Sequence, residues 1–218
     1  RDSYAAYTDV SANVTDRLFL QAAIRYEDYA DFDTEVVGKL AGKFDITDNL
    51  GFRASVGTGF RAPTPGQQGT INVSTRLPNG VPVATGLFPA GGPVAGAIGA
   101  VALKPETSVN YSAGITASFD QLNLTVDYYR IEIEDRTNAV STKTVSTNPA
   151  AGADYDRYLA LVAGGVVGAE SIGGVLYFAN AFNTVTDGVD IVATYPMEWG
   201  NGSNTDFTAS MNYNKTKF

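Results

Sequence analysis

The stretch Leu50-Gly-Phe-Arg-Ala-Ser-Val-Gly-Thr-Gly-Phe-Arg-Ala-Pro63 decides the fold. Its first half alternates, because Leu50, Phe52, Ala54 and Val56 fall on one face of an extended chain and Gly, Arg and Ser fall on the other. Pro63 cannot donate to a β-ladder and opens a long segment rich in Gly and Pro. The pattern predicts a β-strand with one apolar face that ends in a long loop.

The same alternation recurs along the chain. It is clearest in Val109–Phe119 and returns in Leu18–Tyr26 and Phe207–Tyr213. Read this way, the chain holds about eight strands of roughly 9–15 residues, the length with which a tilted strand crosses a bilayer. The polar positions are mainly Ser, Thr, Asn and Gly, which suit a wet lumen. We therefore predict an all-β fold: an antiparallel transmembrane-type β-barrel wall, about eight consecutive strands of a larger barrel.

The connections between these strands alternate in length. Short ones lie at 13–16, 47–49, 120–121 and 198–202. The connections between them, at 30–33, 60–104 and 137–174, form the other set, of which the last two are long. Tight turns on one side and long loops on the other are typical of outer-membrane barrels, so we expect two long external loops. Within the second, Asp154 is expected to cap a helix from about Tyr155 to Ala163, and Gly164-Gly165 is expected to end it.

One predicted strand changes phase. Val126 and Tyr128 share a face, whereas Ile131 and Ile133 follow on the opposite parity. The sequence predicts either a β-bulge here or emergence of the strand above the bilayer.

Composition narrows the function. The 218 residues include no cysteine and no histidine, which removes disulfides, thiolate metal sites and the commonest general base. With 15 basic and 23 acidic residues, net charge -8, the chain lacks the clustered cations of a nucleic-acid-binding surface. We expect no nucleic-acid partner, no cofactor and no enzymatic activity.

Three motifs in order, Arg25-Tyr-Glu-Asp-Tyr29, Gly57-Thr-Gly-Phe-Arg-Ala-Pro63 and Leu103-Lys-Pro-Glu-Thr-Ser108, resemble the C-terminal part of the TonB-dependent outer-membrane receptors. The resemblance implies a barrel of ~22 strands with a plugged lumen in the bacterial outer membrane. It implies energy-coupled uptake of an external nutrient ligand of the siderophore, cobalamin or oligosaccharide class. The partners implied are outer-membrane lipid, that ligand, and the TonB energy-coupling protein through segments absent from these residues.

Residues 1–218 are then expected to be a partial receptor barrel domain, without a plug domain and truncated at both ends. Within the motif of the resemblance, we expect structural roles first. Gly57 and Gly59 permit close backbone approach, Pro63 stops the ladder, and Arg61 offers a fork to carboxylates or carbonyls. Phe60 and Ala62 complete this structural set.

Ligand contacts are expected in the two loops Pro63–Val101 and Asn138–Gly173, because long external loops usually carry function. Their low charge suits an uncharged or amphipathic ligand better than a bare anion. The candidate ligand-binding residues are Gln67, Gln68, Asn72, Arg76 and Asn79 in the first loop, and Tyr155, Arg157 and Tyr158 in the second.

Acidic residues bunch at one external turn: Glu27, Asp28, Asp31 and Asp33. Ca²⁺ prefers carboxylate oxygens, so these residues are candidate metal ligands, although their spacing does not match an EF-hand loop. A solvated acidic turn is the better interpretation, and no metal site is expected.

Two alternatives stay open. One is a self-contained eight-stranded outer-membrane barrel that serves as a pore, adhesin or anchor. The other is a soluble carbohydrate-binding β-sandwich, whose loop aromatics would stack on sugars.

Overall fold

The computed structural model of the chain describes residues 3–29, 32–77 and 80–218. Asp31 and Asn79 lie outside the described residues, as does the side chain of Asp33. The chain divides into two compact units, which we describe separately. Unit 1 comprises Arg1–Phe60, Thr107–Glu134 and Asn183–Phe218, and unit 2 comprises Arg61–Glu106 and Asp135–Phe182.

The elements follow in chain order: β1 (Ser3–Thr15), β2 (Leu18–Tyr29), β3 (Phe32–Thr47), β4 (Leu50–Arg61), α1 (Pro65–Gly69), β5 (Asn72–Arg76), β6 (Val83–Leu87), α2 (Pro93–Ala97), β7 (Glu106–Phe119), β8 (Leu122–Ala139), β9 (Lys143–Thr144), α3 (Ala153–Ala163), β10 (Ile172–Leu176), β11 (Phe178–Glu198) and β12 (Asn204–Lys217). Short 3₁₀ turns cover Pro149–Ala151 and Ala169–Ser171. None of the helices in the described ranges is long and apolar enough to span a bilayer.

Unit 1 is built on one eight-stranded sheet in the order β1-β2-β3-β4-β7-β8-β11-β12. Each consecutive pair joined by a short connection is antiparallel, and the tight turns fall at 16–17, 48–49, 120–121 and 199–203. The predicted antiparallel fold and its short turns are confirmed. A soluble two-sheet sandwich is wrong, because one sheet holds all eight long strands. Among the described strands β1 and β12 stand at opposite ends of the order, which also disagrees with a self-contained eight-stranded barrel.

The sheet of unit 1 has one apolar face and one polar face, as the alternation predicts. On the apolar face Ile115 lies opposite Val126, and Ile191 lies opposite Met211. Ile115 is 43% exposed and Met211 56%, so within the described part of unit 1 these side chains have little protein cover. An apolar face of this kind is stable only against an apolar surrounding.

The polar face carries two side chains that reach across a neighbouring strand at a glycine. Arg53 of β4 donates two hydrogen bonds to the Asp127 carboxylate of β8, from Nε at 2.8 Å and from Nη2 at 2.5 Å. A Cβ added to Gly114 of β7, the strand between them, would overlap that carboxylate. The glycine thus leaves room for a bidentate ion pair between two strands that are not themselves neighbours.

The second crossing repeats this arrangement one step along the sheet. The Tyr129 ring of β8 lies over Gly188 of β11, where an added Cβ would overlap the ring. Its hydroxyl accepts a hydrogen bond of 3.1 Å from Asn212 Nδ2 on β12. Gly188 is therefore a close-approach glycine, as expected of a glycine within a strand.

The pairing of β7 with β8 settles the phase change. Its register is continuous from Thr107↔Glu134 to Phe119↔Leu122, so a bulge at Tyr128–Ile131 is wrong for this ladder. Because the alternation is kept, Arg130 lies on the apolar side of the sheet opposite Tyr111, and Ile131 lies on the polar side opposite Asn110. Polar and apolar side chains thus exchange faces in this part of β8. Of the two predicted explanations, emergence of the strand above the bilayer is the one that remains.

Unit 2 holds a second sheet of four short strands in the order β5-β6-β10-β9. β6 from the first long connection pairs in parallel with β10 from the second. The fully buried Ala95 of α2, Leu161 of α3 and Val175 of β10 form the centre of an apolar core. The long connections are thus folded structure and not open loops, a feature that the sequence analysis missed.

Candidate functional site

Unit 2 is the candidate site, because both predicted ligand-binding loops lie in it. Its core joins the two connections, since Ala95 belongs to the first and Leu161 and Val175 to the second. A core shared in this way holds both connections in one arrangement. Surface residues of unit 2 are therefore presented on a preformed scaffold.

Arg61 of the Gly57–Pro63 motif binds a buried carboxylate. Its Nη2 donates to Glu106 Oε1 at 2.5 Å, and the Glu106 side chain is only 7% exposed. The same oxygen accepts a hydrogen bond of 2.8 Å from the backbone N–H of Thr137. Glu106 therefore links the end of β4, the start of β7 and the outer part of β8. This agrees with the prediction that the Arg61 guanidinium binds a carboxylate.

Asn180 at the start of β11 makes a second link within unit 2. Its Nδ2 donates to the backbone carbonyls of Lys104 at 2.9 Å and Asp135 at 2.6 Å, and its Oδ1 accepts from the Lys104 N–H at 3.0 Å. Lys104 Nζ also pairs with Asp135 Oδ2 at 2.7 Å. Together, Glu106 and Asn180 tie the returning end of the first long connection to the base of the second.

We expect Glu106→Gln to loosen this link without unfolding unit 2. Glutamine keeps an oxygen for the Thr137 N–H but loses the charge that strengthens the bond to Arg61, a cost of about 1 kcal/mol. Native-state hydrogen exchange at the Thr137 amide should become about fivefold faster, since 1.4 kcal/mol is tenfold. The matched control is Arg157→Gln, which removes an ion pair elsewhere in unit 2 whose carboxylate, that of Asp154, is more exposed than that of Glu106. Unchanged exchange at Thr137 would contradict the role of the Glu106 charge.

The candidate ligand residues of the first loop fall into two kinds: some side chains are hydrogen-bonded within the protein, and others are exposed. Gln67 closes a capping box with Thr64, accepting from the Thr64 N–H at 2.8 Å, and Gln68 Nε2 donates to the Pro63 carbonyl at 2.7 Å. Both glutamines therefore hold α1 against the end of the motif. Asn72 and Arg76 are exposed on β5, where they share one face.

The second group lies on α3. The rings of Tyr155 and Tyr158 are 5.9 Å apart between centroids, and Tyr158 also packs against the unit 2 core. Arg157 Nη1 donates to Asp154 Oδ1 at 2.5 Å and to the Thr144 carbonyl at 2.9 Å. The predicted helix is confirmed, but Asp154 as its cap is wrong, because α3 begins earlier and its N-cap residue is Gly152. Gly164 ends the helix as predicted.

The structure does not bring these two groups together. β5, with Asn72 and Arg76, lies at one edge of the four-stranded sheet, whereas Arg157 bonds to β9 at the other edge. Three strand spacings separate the edges by roughly 14 Å. A single small ligand therefore does not contact both groups through this sheet, and each group is a separate candidate surface.

One carboxylate of the acidic turn, that of Glu27, is used within the fold. Glu27 is 9% exposed, pairs with Arg25 and accepts a hydrogen bond from the Tyr29 hydroxyl. Asp28 is exposed. Within residues 3–29, 32–77 and 80–218, no group of three acidic side chains is placed to hold a metal ion.

Sequence reasoning missed Glu106 and Asn180 as linking residues. Glu106 lies in the Leu103–Ser108 motif, so its position carried a signal, but a carboxylate in an exposed loop is ordinarily solvated. The role of Asn180 could not be read from the sequence, because its partners are backbone groups distant in the chain.

Comparison with known proteins assigns the whole chain to a family. A family model described as "TonB dependent receptor-like, beta-barrel" matches residues 1–218. No curated protein sequence matches the chain.

Solved structures share the fold at low sequence identity. The siderophore receptor PirA from Pseudomonas aeruginosa is 17% identical, with a TM-score of 0.68 over 98% of this chain and 34% of that chain. A ferric enterobactin receptor mutant from Pseudomonas aeruginosa in complex with enterobactin is 16% identical, with a TM-score of 0.64 over 96% and 27%. The RagAB peptide transporter is 15% identical, with a TM-score of 0.62 over 99% and 22%. The chain thus spans about a third or less of the length of these proteins.

Proposed function

Because the chain belongs to the TonB-dependent receptor β-barrel family, whose members are outer-membrane proteins of Gram-negative bacteria, we propose that it forms part of a receptor that imports an external nutrient compound. The observation that carries this proposal is the eight-stranded antiparallel sheet with one exposed apolar face, matched by the family model over every residue. The family transports and is not generally enzymatic. In this proposal unit 1 is barrel wall and unit 2 carries the ligand-binding surfaces.

The apolar face of unit 1 then faces lipid and the polar face lines the lumen. The polar face suits this role, since Arg53 is matched by Asp127 and Tyr129 by Asn212. Satisfied polar groups of this kind leave a wall wet but without a strong net charge. The energy-coupling protein TonB is proposed as a partner from the family alone.

The ligand class that unit 2 supports best is amphipathic, with low net charge. Unit 2 contains six basic and five acidic residues. Three of the five acids, Glu106, Asp135 and Asp154, already form ion pairs within the unit. Large apolar side chains are exposed instead: Ile71, Val73, Leu77, Val81, Val101, Leu159, Val162 and Val167. A siderophore, cobalamin, oligosaccharide or peptide with apolar surface fits this pattern better than a bare inorganic anion.

Transport assays test the proposal in cells with and without the full-length receptor. Labelled ferric siderophores, cobalamin, oligosaccharides and peptides are supplied one class at a time, and uptake is measured with and without a protonophore. We expect one class to need the receptor, with uptake stopped by the protonophore and surface binding kept. Receptor-dependent uptake that continues in de-energised cells would contradict energy coupling and favour a passive pore.

The same assay then locates the contacts in unit 2. Asn72→Ala/Arg76→Ala removes two exposed polar side chains from one face of β5, and Thr75→Ala on the opposite face is the matched control. If β5 binds the ligand, the double variant should weaken surface binding about tenfold, the effect of losing one hydrogen bond to a charged group. A larger deletion is a poor test, because removing Gly69–Ala95 takes out β6 from the middle of the sheet and Ala95 from the core.

If the β5 variant binds as the native receptor does, Tyr155→Ala tests the surface of α3. Normal binding by both variants would place recognition outside these two surfaces.

A further inference from the structure

β5 forms one edge of the four-stranded sheet of unit 2 and is paired on one side only. Among the described strands its single neighbour is β6, and the antiparallel register of the two is continuous over all five residues of β5. All residues from 70 to 77 are exposed. β5 therefore has an open side, along which its backbone groups are not paired with another described strand.

The opposite edge of the same sheet is closed. β9 is only two residues long, and Arg157 Nη1 of α3 donates to the Thr144 carbonyl of β9 at 2.9 Å. A short strand and a side chain bonded to its backbone are ways in which proteins protect a sheet edge. β5 is longer, and its pairing contains no bulge. Of the two edges, β5 is the one able to accept a further strand.

The backbone groups that point to the open side are those of two residues. The Asn72 carbonyl points toward β6, because a Cβ added to Gly86 of β6 would lie 2.6 Å from its oxygen. The backbone groups of successive residues in a strand point to opposite sides. The N–H and C=O groups of Val73 and Thr75 therefore point away from β6. Two donors and two acceptors are open to an added chain.

The side chains along this edge are of two kinds that alternate. Ile71, Val73 and Leu77 share one parity and are 66%, 46% and 66% exposed. Asn72 and Arg76 have the other parity. Across the ranges that the structure describes, no acidic side chain forms an ion pair with Arg76. The chain that fits this edge has apolar side chains at every second position and a carboxylate opposite Arg76.

We propose that unit 2 binds an extended peptide as a fifth strand, antiparallel to β5. Hydrogen bonds to the backbone of Val73 and Thr75 supply affinity, while the exposed apolar side chains and Arg76 select the residues opposite them. This names the ligand class and rests on the proposed function, because it takes unit 2 to carry the ligand-binding surfaces.

The test titrates the full-length receptor in detergent with a synthetic peptide and measures binding by isothermal titration calorimetry. The probe is the acetylated and amidated heptapeptide Val-Glu-Val-Thr-Val-Thr-Val. In the antiparallel register its glutamate lies opposite Arg76, and its third and fifth residues lie opposite Thr75 and Val73. Both of these residues of the peptide then exchange backbone hydrogen bonds with β5.

Methylating single backbone nitrogens of the probe separates strand addition from other modes of binding. A methyl group on the third residue removes the N–H that bonds to the Thr75 carbonyl, and binding should weaken about tenfold. The matched control carries the methyl group on the fourth residue, whose N–H points away from β5, and should bind as the unmodified peptide does. This comparison uses the native receptor and does not depend on how a variant folds.

Thr75→Pro makes the same test from the side of the receptor. Proline removes the N–H that points to the open side and leaves the pairing with β6, since prolines are tolerated at such positions of an edge strand. The unmodified peptide should bind this variant about tenfold more weakly. Thr75→Ala keeps the N–H and is the matched control, with binding expected to equal that of the native receptor.

Four results overturn the proposal. They are no binding of the unmodified peptide at millimolar concentration, equal loss from methylation of the third and fourth residues, equal binding by the native receptor and Thr75→Pro, and self-association of the receptor that Thr75→Pro abolishes, which would assign β5 to a second copy. Binding in detergent is independent of transport. A receptor that binds the peptide with this alternation but imports no compound would contradict the proposed function alone, whereas one that imports another class and does not bind the peptide would overturn this inference alone.

Discussion

Replacing Ile115 by arginine in the full-length receptor is expected to destabilise the barrel by about 2–4 kcal/mol, the cost of a cation on the lipid face near the bilayer midplane. Ile115 lies in the second half of β7, opposite Val126, on the apolar face. The measurement is the denaturant midpoint of the receptor refolded in lipid vesicles.

The matched control is Ser210→Arg, because Ser210 lies on the polar face of β12, where it is exposed. An arginine there reaches water and should cost far less. Equal losses in the two variants would show that both faces meet the same surroundings, which removes the assignment of Ala54, Ile115 and Ala209 to lipid and of Arg53, Thr116 and Ser210 to the lumen.

Gly188→Ala is expected to cost about 1–3 kcal/mol, the usual cost of overfilling a packed site. An added Cβ would overlap the Tyr129 ring, which must then leave its position over β11. The hydrogen bond of Asn212 to the Tyr129 hydroxyl is lost at the same time. The unfolding midpoint of the full-length receptor should fall.

Removing the ring supplies the control. All three nearest neighbours of the added Cβ belong to the Tyr129 side chain, so Tyr129→Ala should make Gly188→Ala nearly neutral. The double-mutant cycle then gives a coupling energy of the same size as the single loss. Additive losses in the double variant would mean that the glycine is needed for backbone conformation and not for the ring.

The wall of the barrel was predictable from the sequence because its signals are local. Alternation over Val109–Phe119 fixes which residues share a face, and short polar connections fix where a strand turns. The spacing of apolar residues also predicted α3, where the period is that of a helix. The prediction of Asp154 as the helix cap was wrong. An aspartate can cap a helix, but it can also form an ion pair with an arginine three positions later, as Asp154 does with Arg157.

The sheet of unit 2 was not predictable in the same way. Its strands are short and two of them, β6 and β10, pair in parallel across a long chain separation, so neither alternation nor a turn marks them. Glycines at Gly86, Gly173 and Gly174 further resemble loop sequence, although each sits in close contact with a neighbouring strand. Pairing between strands that are distant in the sequence depends on tertiary contacts, which local sequence patterns do not show.

For the candidate site, residue type was a poor guide to role. Gln67, Gln68 and Arg157 were expected to face a ligand, yet each makes hydrogen bonds that hold a helix or a strand edge in place. The ligand contacts themselves stay predictions. Asn72, Arg76 and Tyr155 are the members of the set best placed to be tested.

The parallel pairing of β6 with β10 also bears on how specificity can be exchanged between receptors. Each of the two long connections supplies one strand of that pair and part of one core. A graft of either segment alone from another receptor would bring half of an interface with no partner to match it. The two connections must therefore be exchanged together. Recombination that separates them is expected to give misfolded receptors and not receptors with a new ligand specificity.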